Sequence, residues 1–283
     1  MAEPSKAVLI TGCSTGIGRA TALRLARGGW PVYATARRPE TLAELQDAGC
    51  RTLALDVTDE QSMSAAVRAV EEAEGAVGVL VNNAGYSQSG AVESVPMESV
   101  RRQFETNVFG VVALTQLVLP KMRAQRWGRI VNISSMGGRL TFPGGGFYHA
   151  TKHALEALSD AMRFELRGFG VDVVLIEPGL IVTEFGEAAH ANMAGLGGAG
   201  DGAYKQFNDA VATATKEAYE GPLKALGGPP DRVARAIEKA IGSRRPPPRV
   251  TVTPSAKLML GLRKLLPDRA WDAAMRGQFP QPR

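Results

Sequence analysis

The chain has 283 residues, 45% hydrophobic and 22% charged, the balance of a globular protein with a sizeable core. Its net charge of +5 is modest and no basic stripe interleaves with aromatics, so nucleic acid is not an expected partner. Two cysteines, Cys13 and Cys50, without metal-ligand spacing argue against a disulfide scaffold and a cysteine-ligated zinc site. Met1 to Lys6 lacks a signal-peptide pattern and no run of ~18 apolar residues occurs, so the expected location is the cytoplasm.

Ala7-Val8-Leu9-Ile10 is a short apolar run stopped by Thr11-Gly12, the pattern of a buried strand. Thr11-Gly12-Cys13-Ser14-Thr15-Gly16-Ile17-Gly18 follows, and then a helical Arg19 to Ala26. Strand, glycine turn and helix in this order suit a pyrophosphate. Glycines let the backbone come close to it, and its charge sits at the helix N-terminus. The spacing is G-x-x-x-G-x-G rather than the commoner G-x-G-x-x-G. Pro31 to Ala36 reads as the second strand. About 20 residues past such a loop an acidic residue would bind the ribose hydroxyls of NAD. Here Ala36 and then Arg37-Arg38 stand in that place. A guanidinium binds a 2′-phosphate and no carboxylate repels it, so NADP(H) is expected ahead of NAD(H), with Arg37 as the contact.

Pro39 to Ala48 reads as a short helix closed by Gly49, and Arg51 to Val57 as the third strand. Thr58 and Gln61 fit a capping box that opens the next helix. Asp56, at a strand end, is either an acceptor for an adenine amino group, with Val57 against the ring, or a turn aspartate. Val77 to Val81 is the fourth strand. It runs into Asn82-Asn83-Ala84-Gly85, which leaves room for a flat ring or simply makes a turn. Met97 to Ala124 is a long helical stretch carrying Asn107. Gly110 within it costs about 1 kcal/mol against alanine and points to close packing or a local distortion.

Gly128 to Ser135 is the fifth strand. It ends in two hydroxyls, Ser134 and Ser135, where α/β sheets carry their chemistry. A glycine-rich loop leads to Phe147-Tyr148-His149-Ala150-Thr151-Lys152. Tyr148 and Lys152, four apart, share a helix face. Leu155, Leu158, Met162 and Leu166 continue the helix. Ala150, Ala154, Ala157 and Ala161 form a small-residue stripe fit for another helix. An ammonium nearby favours the phenolate, so Tyr148 is expected to be more acidic than an ordinary phenol at ~10. That suits a proton donor and acceptor for an oxygen on a reacting carbon. A serine beside it would hydrogen-bond the same oxygen. His149 and His153 are expected to turn away, as packing or surface residues.

Gly170 to Gly179 is the sixth strand and its turn, stopped by Pro178, with Thr183 offering a hydroxyl just beyond. The stretch 184–228, rich in alanine and glycine, reads as a lid or substrate-binding loop. Asp231 to Ile241 is a helix and Arg249 to Thr253 a seventh strand. Ser255 to Met275 is a basic amphipathic stretch that either packs on its own domain, the expected outcome, or lies on a membrane.

Thr11-Gly12-x-x-x-Gly16-x-Gly18, Asp56-Val57, Asn82-Asn83-Ala84-Gly85, Asn107, Ser135, Tyr148-x-x-x-Lys152 and Pro178-Gly179 through Thr183 occur in that order. Over Thr11 to Thr183 the chain thereby resembles the short-chain dehydrogenase/reductase family in its single-domain branch. The resemblance implies one α/β domain over residues 1–283. It would be a doubly wound, Rossmann-type, mainly parallel seven-stranded sheet with helices on both faces. Residues 184–228 would be the substrate-binding segment and 255–283 a helical tail. The implied catalytic set is Asn107, Ser135, Tyr148 and Lys152. In it Tyr148 is the acid/base, and Lys152 lowers the phenol pKa and binds the nicotinamide ribose. Ser135, thirteen residues before Tyr148, holds the substrate oxygen, and Asn107 supports a water that relays protons to Lys152. The implied NADP(H) contacts are Gly12, Ser14, Thr15, Gly16, Ile17, Gly18, Arg37, Asp56, Val57, Asn83, Ala84, Gly85, Tyr148, Lys152, Pro178, Gly179 and Thr183, with no metal.

The glycine loop with Arg37, and the long segment after Thr183, are most similar to hydroxysteroid and retinol dehydrogenase-like members. A lipophilic ketone, aldehyde or secondary alcohol is therefore the expected substrate. The faces around Asn107 and Ala154 resemble those through which members pair, so a homodimer or homotetramer is expected. The alternative is a sensor or scaffold that binds NADP(H) without turnover; it would need none of Ser135, Tyr148 and Lys152.

Overall fold

The computed structural model describes residues 3–186 and 202–281. Seven apolar runs become strands: β1 (Val8–Ile10), β2 (Val32–Ala36), β3 (Arg51–Ala54), β4 (Val79–Asn82), β5 (Gly128–Ile133), β6 (Val171–Glu177) and β7 (Arg249–Thr251). Every residue of β1, β2, β4 and β5 is buried, because a parallel sheet covered on both faces needs near-continuous apolar sequence. The strands form one sheet in the order β3-β2-β1-β4-β5-β6-β7, parallel at each pairing. The order reverses beside β1, which pairs with β2 on one edge and β4 on the other. Open α/β sheets bind ligands outside the carboxyl ends of the strands at such a switch point.

The helices are α1 (Gly16–Arg27), α2 (Ala43–Asp47), α3 (Glu60–Glu74), α4 (Met97–Phe104), α5 (Gly110–Ala124), α6 (Gly146–Glu165), α7 (Lys205–Glu220), α8 (Pro230–Gly242), α9 (Pro254–Leu265) and α10 (Asp268–Arg276). Alternation along β1 divides the core in two. Val8 and Ile10 point to one face, where Leu25 of α1 and Val233, Ile237 and Ile241 of α8 cover them. Leu9 points to the other, against Met63, Val67 and Val70 of α3 and Leu114 and Val118 of α5. Arg24 ties the first pair of helices together, donating to Glu238 at 2.6 Å and to Asp231 at 3.0 Å.

Several expected boundaries move. The third strand stops at Ala54, and Leu55-Asp56-Val57 begins a loop instead. The cap of α3 is Asp59 rather than Thr58: its carboxylate accepts from the Gln61 and Ser62 amides, while Thr58 donates its hydroxyl to Asp56 at 2.8 Å. The long helix at 97–124 is interrupted by a π-helical turn over Glu105–Phe109, immediately before Gly110, where a distortion was expected. A Cβ on Gly110 would lie 2.3 Å from the Val57 carbonyl oxygen, so both halves of that expectation hold. The segment 184–228 is not a structureless loop where it is described. It contains α7 and a 3-10 turn at Pro222–Leu226; residues 187–201 lie outside the described residues. The tail is two helices, broken at Pro267, which carries no N–H and opens α10.

Candidate active site

The loops after β1 and β4 are stitched to each other. The Thr11 hydroxyl accepts from the amides of Asn83 (3.0 Å) and Ala84 (2.9 Å), and the Asn83 side-chain amide donates to the carbonyls of Thr11 (2.8 Å) and Gly12 (3.0 Å). Gly12 and Gly16 adopt φ of 70° and 56°, a region that favours glycine. Gly18 is required by proximity: a Cβ there would stand 2.3 Å from the Gly12 carbonyl oxygen and 2.5 Å from the Asn83 amide nitrogen. Helix α1 starts after Thr15 with no side-chain cap and no acidic residue in its first turn. Ser14 is half-buried, Thr15 is exposed, and Ile17 packs on the core. Thr183 runs against this loop, 3.3 Å from where a Gly16 Cβ would be. Gly16, Arg19 and Thr183 line a cavity of about 420 Å³. A first turn without its own acceptor, glycines with no space for side chains and a flanking recess fit the diphosphate of a dinucleotide.

Arg37 and Arg38 are both exposed at the end of β2. Asp56 is half-buried, and one of its oxygens accepts from the Thr58 amide (2.9 Å) and hydroxyl, the arrangement of a turn aspartate. Val57 is buried against Gly110. The Pro178 carbonyl accepts from the Met136 amide at 2.8 Å, and the Gly179 amide donates to Thr253 at 3.0 Å. The first bond holds the chain after β6 beside the chain after β5, and the second ties it to the chain after β7.

Asn107, Ser135, Tyr148 and Lys152 come together at the carboxyl ends of β4 and β5. Asn107 is buried in the π-helical turn, where its amide donates to the Tyr86 carbonyl (2.9 Å) and the Thr151 hydroxyl (3.2 Å) and its oxygen accepts from the Tyr86 amide (3.1 Å). Mid-helix asparagines usually face solvent; the widened turn gives this one room to point inward. A Cβ on Gly85 would sit 3.1 Å from the Asn107 oxygen and 3.9 Å from the Lys152 ammonium, so both groups border one small space. Lys152 donates to the Ile133 carbonyl at 2.7 Å, and its nitrogen lies 5.8 Å from the centre of the Tyr148 ring. Ser135 accepts from the Gly137 amide at 3.0 Å, and its hydroxyl acts on the Tyr148 phenol in favour of the ionised form. Successive residues at the end of β5 point to opposite faces, and Ser134 accordingly turns away to donate to Glu156.

The expected acidic phenol is not found. Burial pushes the Tyr148 phenol well above its ordinary value; the Ser135 hydrogen bond works against that, and Tyr219 adds to it. Burial also pulls Lys152 down to about 8, with Glu156 opposing. The ammonium is committed to the Ile133 carbonyl, so desolvation outweighs its attraction for a phenolate. His149 is a packing residue as expected, but it does not leave Tyr148: the two rings are 5.7 Å apart. His153 is exposed.

Two aromatic neighbours escaped sequence reasoning. Phe185 stands 5.8 Å from Tyr148, ring to ring, and Tyr219 of α7 interacts with the phenol. Both fall in the segment read only as a lid, and no local pattern singles them out. Glu156 was also missed. It links Ser134 to Arg249, which in turn pairs with Asp160 at 2.6 Å and with the fully buried Glu177 at 3.3 Å. No three His, Cys, Asp or Glu side chains among the described residues form a metal site.

The short chain dehydrogenase family model matches residues 6–194. The chain belongs to the short-chain dehydrogenase/reductase family. It is 37% identical over 280 residues to the uncharacterized oxidoreductase YusZ of Bacillus subtilis, covering 96% of this chain and 97% of that one. It is 36% identical over 271 residues to a 3-ketodihydrosphingosine reductase of Bacteroides thetaiotaomicron (95% and 96%). It is 34% identical over 273 residues to an NADPH-dependent 3-dehydrocapnine reductase of Ornithobacterium rhinotracheale (93% and 94%). Among solved structures, a short-chain dehydrogenase from Streptomyces avermitilis matches with a TM-score of 0.77 at 35% identity, over 96% of this chain and 98% of that one. A short-chain dehydrogenase/reductase from Burkholderia phymatum in complex with NAD matches with a TM-score of 0.78 at 28% identity (94% and 95%). This short-chain dehydrogenase/reductase is an oxidoreductase acting on carbonyl or alcohol groups. One of these relatives is named as NADPH-dependent and another is solved in complex with NAD.

Proposed function

We propose that this protein is an NADP(H)-dependent reductase of a lipophilic ketone or aldehyde, working through Ser135, Tyr148 and Lys152. The observation that carries the reading is the convergence of those three side chains, with Asn107 behind them, beside the stitched glycine loop. A nicotinamide held beside the glycine loop would supply the hydride to the substrate carbon, or accept it in the oxidative direction. Tyr148 gives its phenolic proton to the carbonyl oxygen as that oxygen gains charge, and takes it back in the oxidative direction. The raised phenol pKa keeps the proton on Tyr148 at neutral pH, the form that reduction consumes. Ser135 holds the same oxygen with its hydroxyl. Lys152 carries its charge below about 8 and offsets the phenolate left after transfer. Asn107 positions the Lys152 end of the site through Tyr86 and Thr151.

NADP(H) is favoured over NAD(H) because β2 ends without a carboxylate and with two exposed arginines. Lipophilic substrates are supported by Phe185 and Tyr219 around Tyr148, and by relatives named for the reduction of 3-ketodihydrosphingosine and 3-dehydrocapnine. The segment 184–228 is the substrate-binding part of a single catalytic domain. Ala150, Ala157 and Ala161, exposed on α6, suit self-pairing in a homodimer or homotetramer.

The test is purified protein with NADPH and a panel of ketones of graded size, beside Tyr148→Phe. Loss of the positioned acid should lower kcat about 10²–10⁴-fold. A variant as fast as the parent refutes the mechanism, and NADPH binding without turnover on the whole panel favours a sensor. For the cofactor, Arg37→Asp should weaken NADPH at least tenfold more than NADH, the loss of one charge-assisted phosphate contact. Equal weakening of both would remove Arg37 from that role.

A further inference from the structure

Helix α9 carries Leu258, Leu262 and Leu265, four and then three residues apart, which places them on one line along the helix. Sequence reasoning expected the stretch Ser255 to Met275 to pack on its own domain; Trp271 is buried and Leu266 half-buried there, but these three leucines are left uncovered. Leu258 is 51% exposed, Leu262 39% and Leu265 80%. The helix is anchored by other residues: Ser255 and Ala256 are buried, and Met259 and Leu260 are half-buried. Lys257 and Lys264, seven apart, form a second line beside the leucines. Both are exposed, and neither joins an ion pair among the described residues. Residues 254–276 hold five basic and two acidic side chains, more than half of the net charge of +5 in a small part of the chain.

We propose that α9 docks this protein on the surface of an anionic lipid bilayer. The leucine stripe enters the boundary between headgroups and acyl chains, and Lys257 and Lys264 reach the phosphates from its flank. Charge selects this occupant. A second copy of the chain, paired about a two-fold axis, would bring like-charged lysine lines together. No helix among the described residues is long and apolar enough to cross a membrane, so the association is peripheral. Arg263 of the same helix, with Trp271, Met275 and Phe279 beyond it, walls a cavity of about 1040 Å³, so a recess with both charged and apolar walls adjoins the docking helix.

The test is co-sedimentation of the whole protein with vesicles of phosphatidylcholine alone and of phosphatidylcholine with phosphatidylglycerol. Binding is expected to the anionic vesicles and to weaken as salt is raised. Lys257→Gln and Lys264→Gln should each weaken it about fivefold, the equivalent of ~1 kcal/mol per basic residue. Leu262→Asp with Leu265→Asp should abolish it while NADPH binding and circular dichroism stay unchanged. No binding to anionic vesicles, or equal binding by parent and leucine variants, overturns the proposal. So does a change of subunit number in the leucine variants by light scattering, which would make the stripe an interface between protein chains.

Discussion

His149 shows how a buried side chain acquires a pH-dependent cost. Its ring is packed between Gly137 and Gly145, at each of which a Cβ would come within 2.4 Å of it. It accepts from the Phe142 amide at 3.3 Å and lies against the Phe142 and Tyr148 rings. Burial pulls its pKa from the model-peptide 6.5 down to about 4. Between those values the unfolded chain binds a proton that the folded chain refuses, so stability falls as pH drops through that window. Above the upper value the group contributes no pH dependence. The full loss from His149 amounts to roughly 3 kcal/mol. Urea denaturation at about pH 7 and about pH 4.5 should therefore show a smaller acid-induced loss for His149→Phe than for the parent. Equal losses would mean that the imidazole is not desolvated. Lys152 and Tyr148 follow the same physics, and their proximity by itself did not make the phenol acidic.

Among the elements, the helix at 97–124 carries the clearest sign of a constraint stronger than propensity. The π-helical turn at Glu105–Phe109 turns Asn107 inward, and Gly110 follows because the loop carrying Val57 lies directly on the helix there. Gly110→Ala gains about 1 kcal/mol of helix propensity and loses about 1–3 kcal/mol through overpacking against backbone that cannot swing aside. A net destabilisation of up to about 2 kcal/mol is expected, read as a lower urea midpoint at an unchanged slope. A variant as stable as the parent would show that the Val57 loop yields freely. Helix α6 is held differently. Arg249 of β7 donates to Glu156 at 3.0 Å and to Asp160 at 2.6 Å, joining the helix that bears Tyr148 and Lys152 to the far edge of the sheet.

At the level of the molecule, the crossover between β1 and β4 puts the glycine loop, the Asn83 turn and the end of β5 side by side. Local pattern made much of this legible. Continuous apolar runs mark buried parallel strands because both faces are covered, and glycines mark the places where backbone meets backbone. The ordered motifs from Thr11 to Thr183 identified the family and the three side chains that converge. Other features depended on contacts between distant segments. Only the folded structure shows that Ser134 serves Glu156, since strand alternation turns it to the face opposite Ser135 once the strand end is known. Only it shows Phe185 against the Tyr148 ring and Tyr219 near enough to act on the phenol. In the same way, α7 packs its Phe207 and Val211 against Met275 and Phe279 of the tail, a meeting of residues some 70 positions apart that no period in either segment announces.

The amino-acid order by itself determined the strand–helix alternation, the dinucleotide-type loop and the Tyr148–Lys152 pairing, because each depends on neighbours within one or two turns of backbone. Tertiary packing decided the proton affinities at that pair and the fate of the α9 leucines. Desolvation and exposure are set by what the rest of the chain lays over a side chain, and a local stretch carries no record of it.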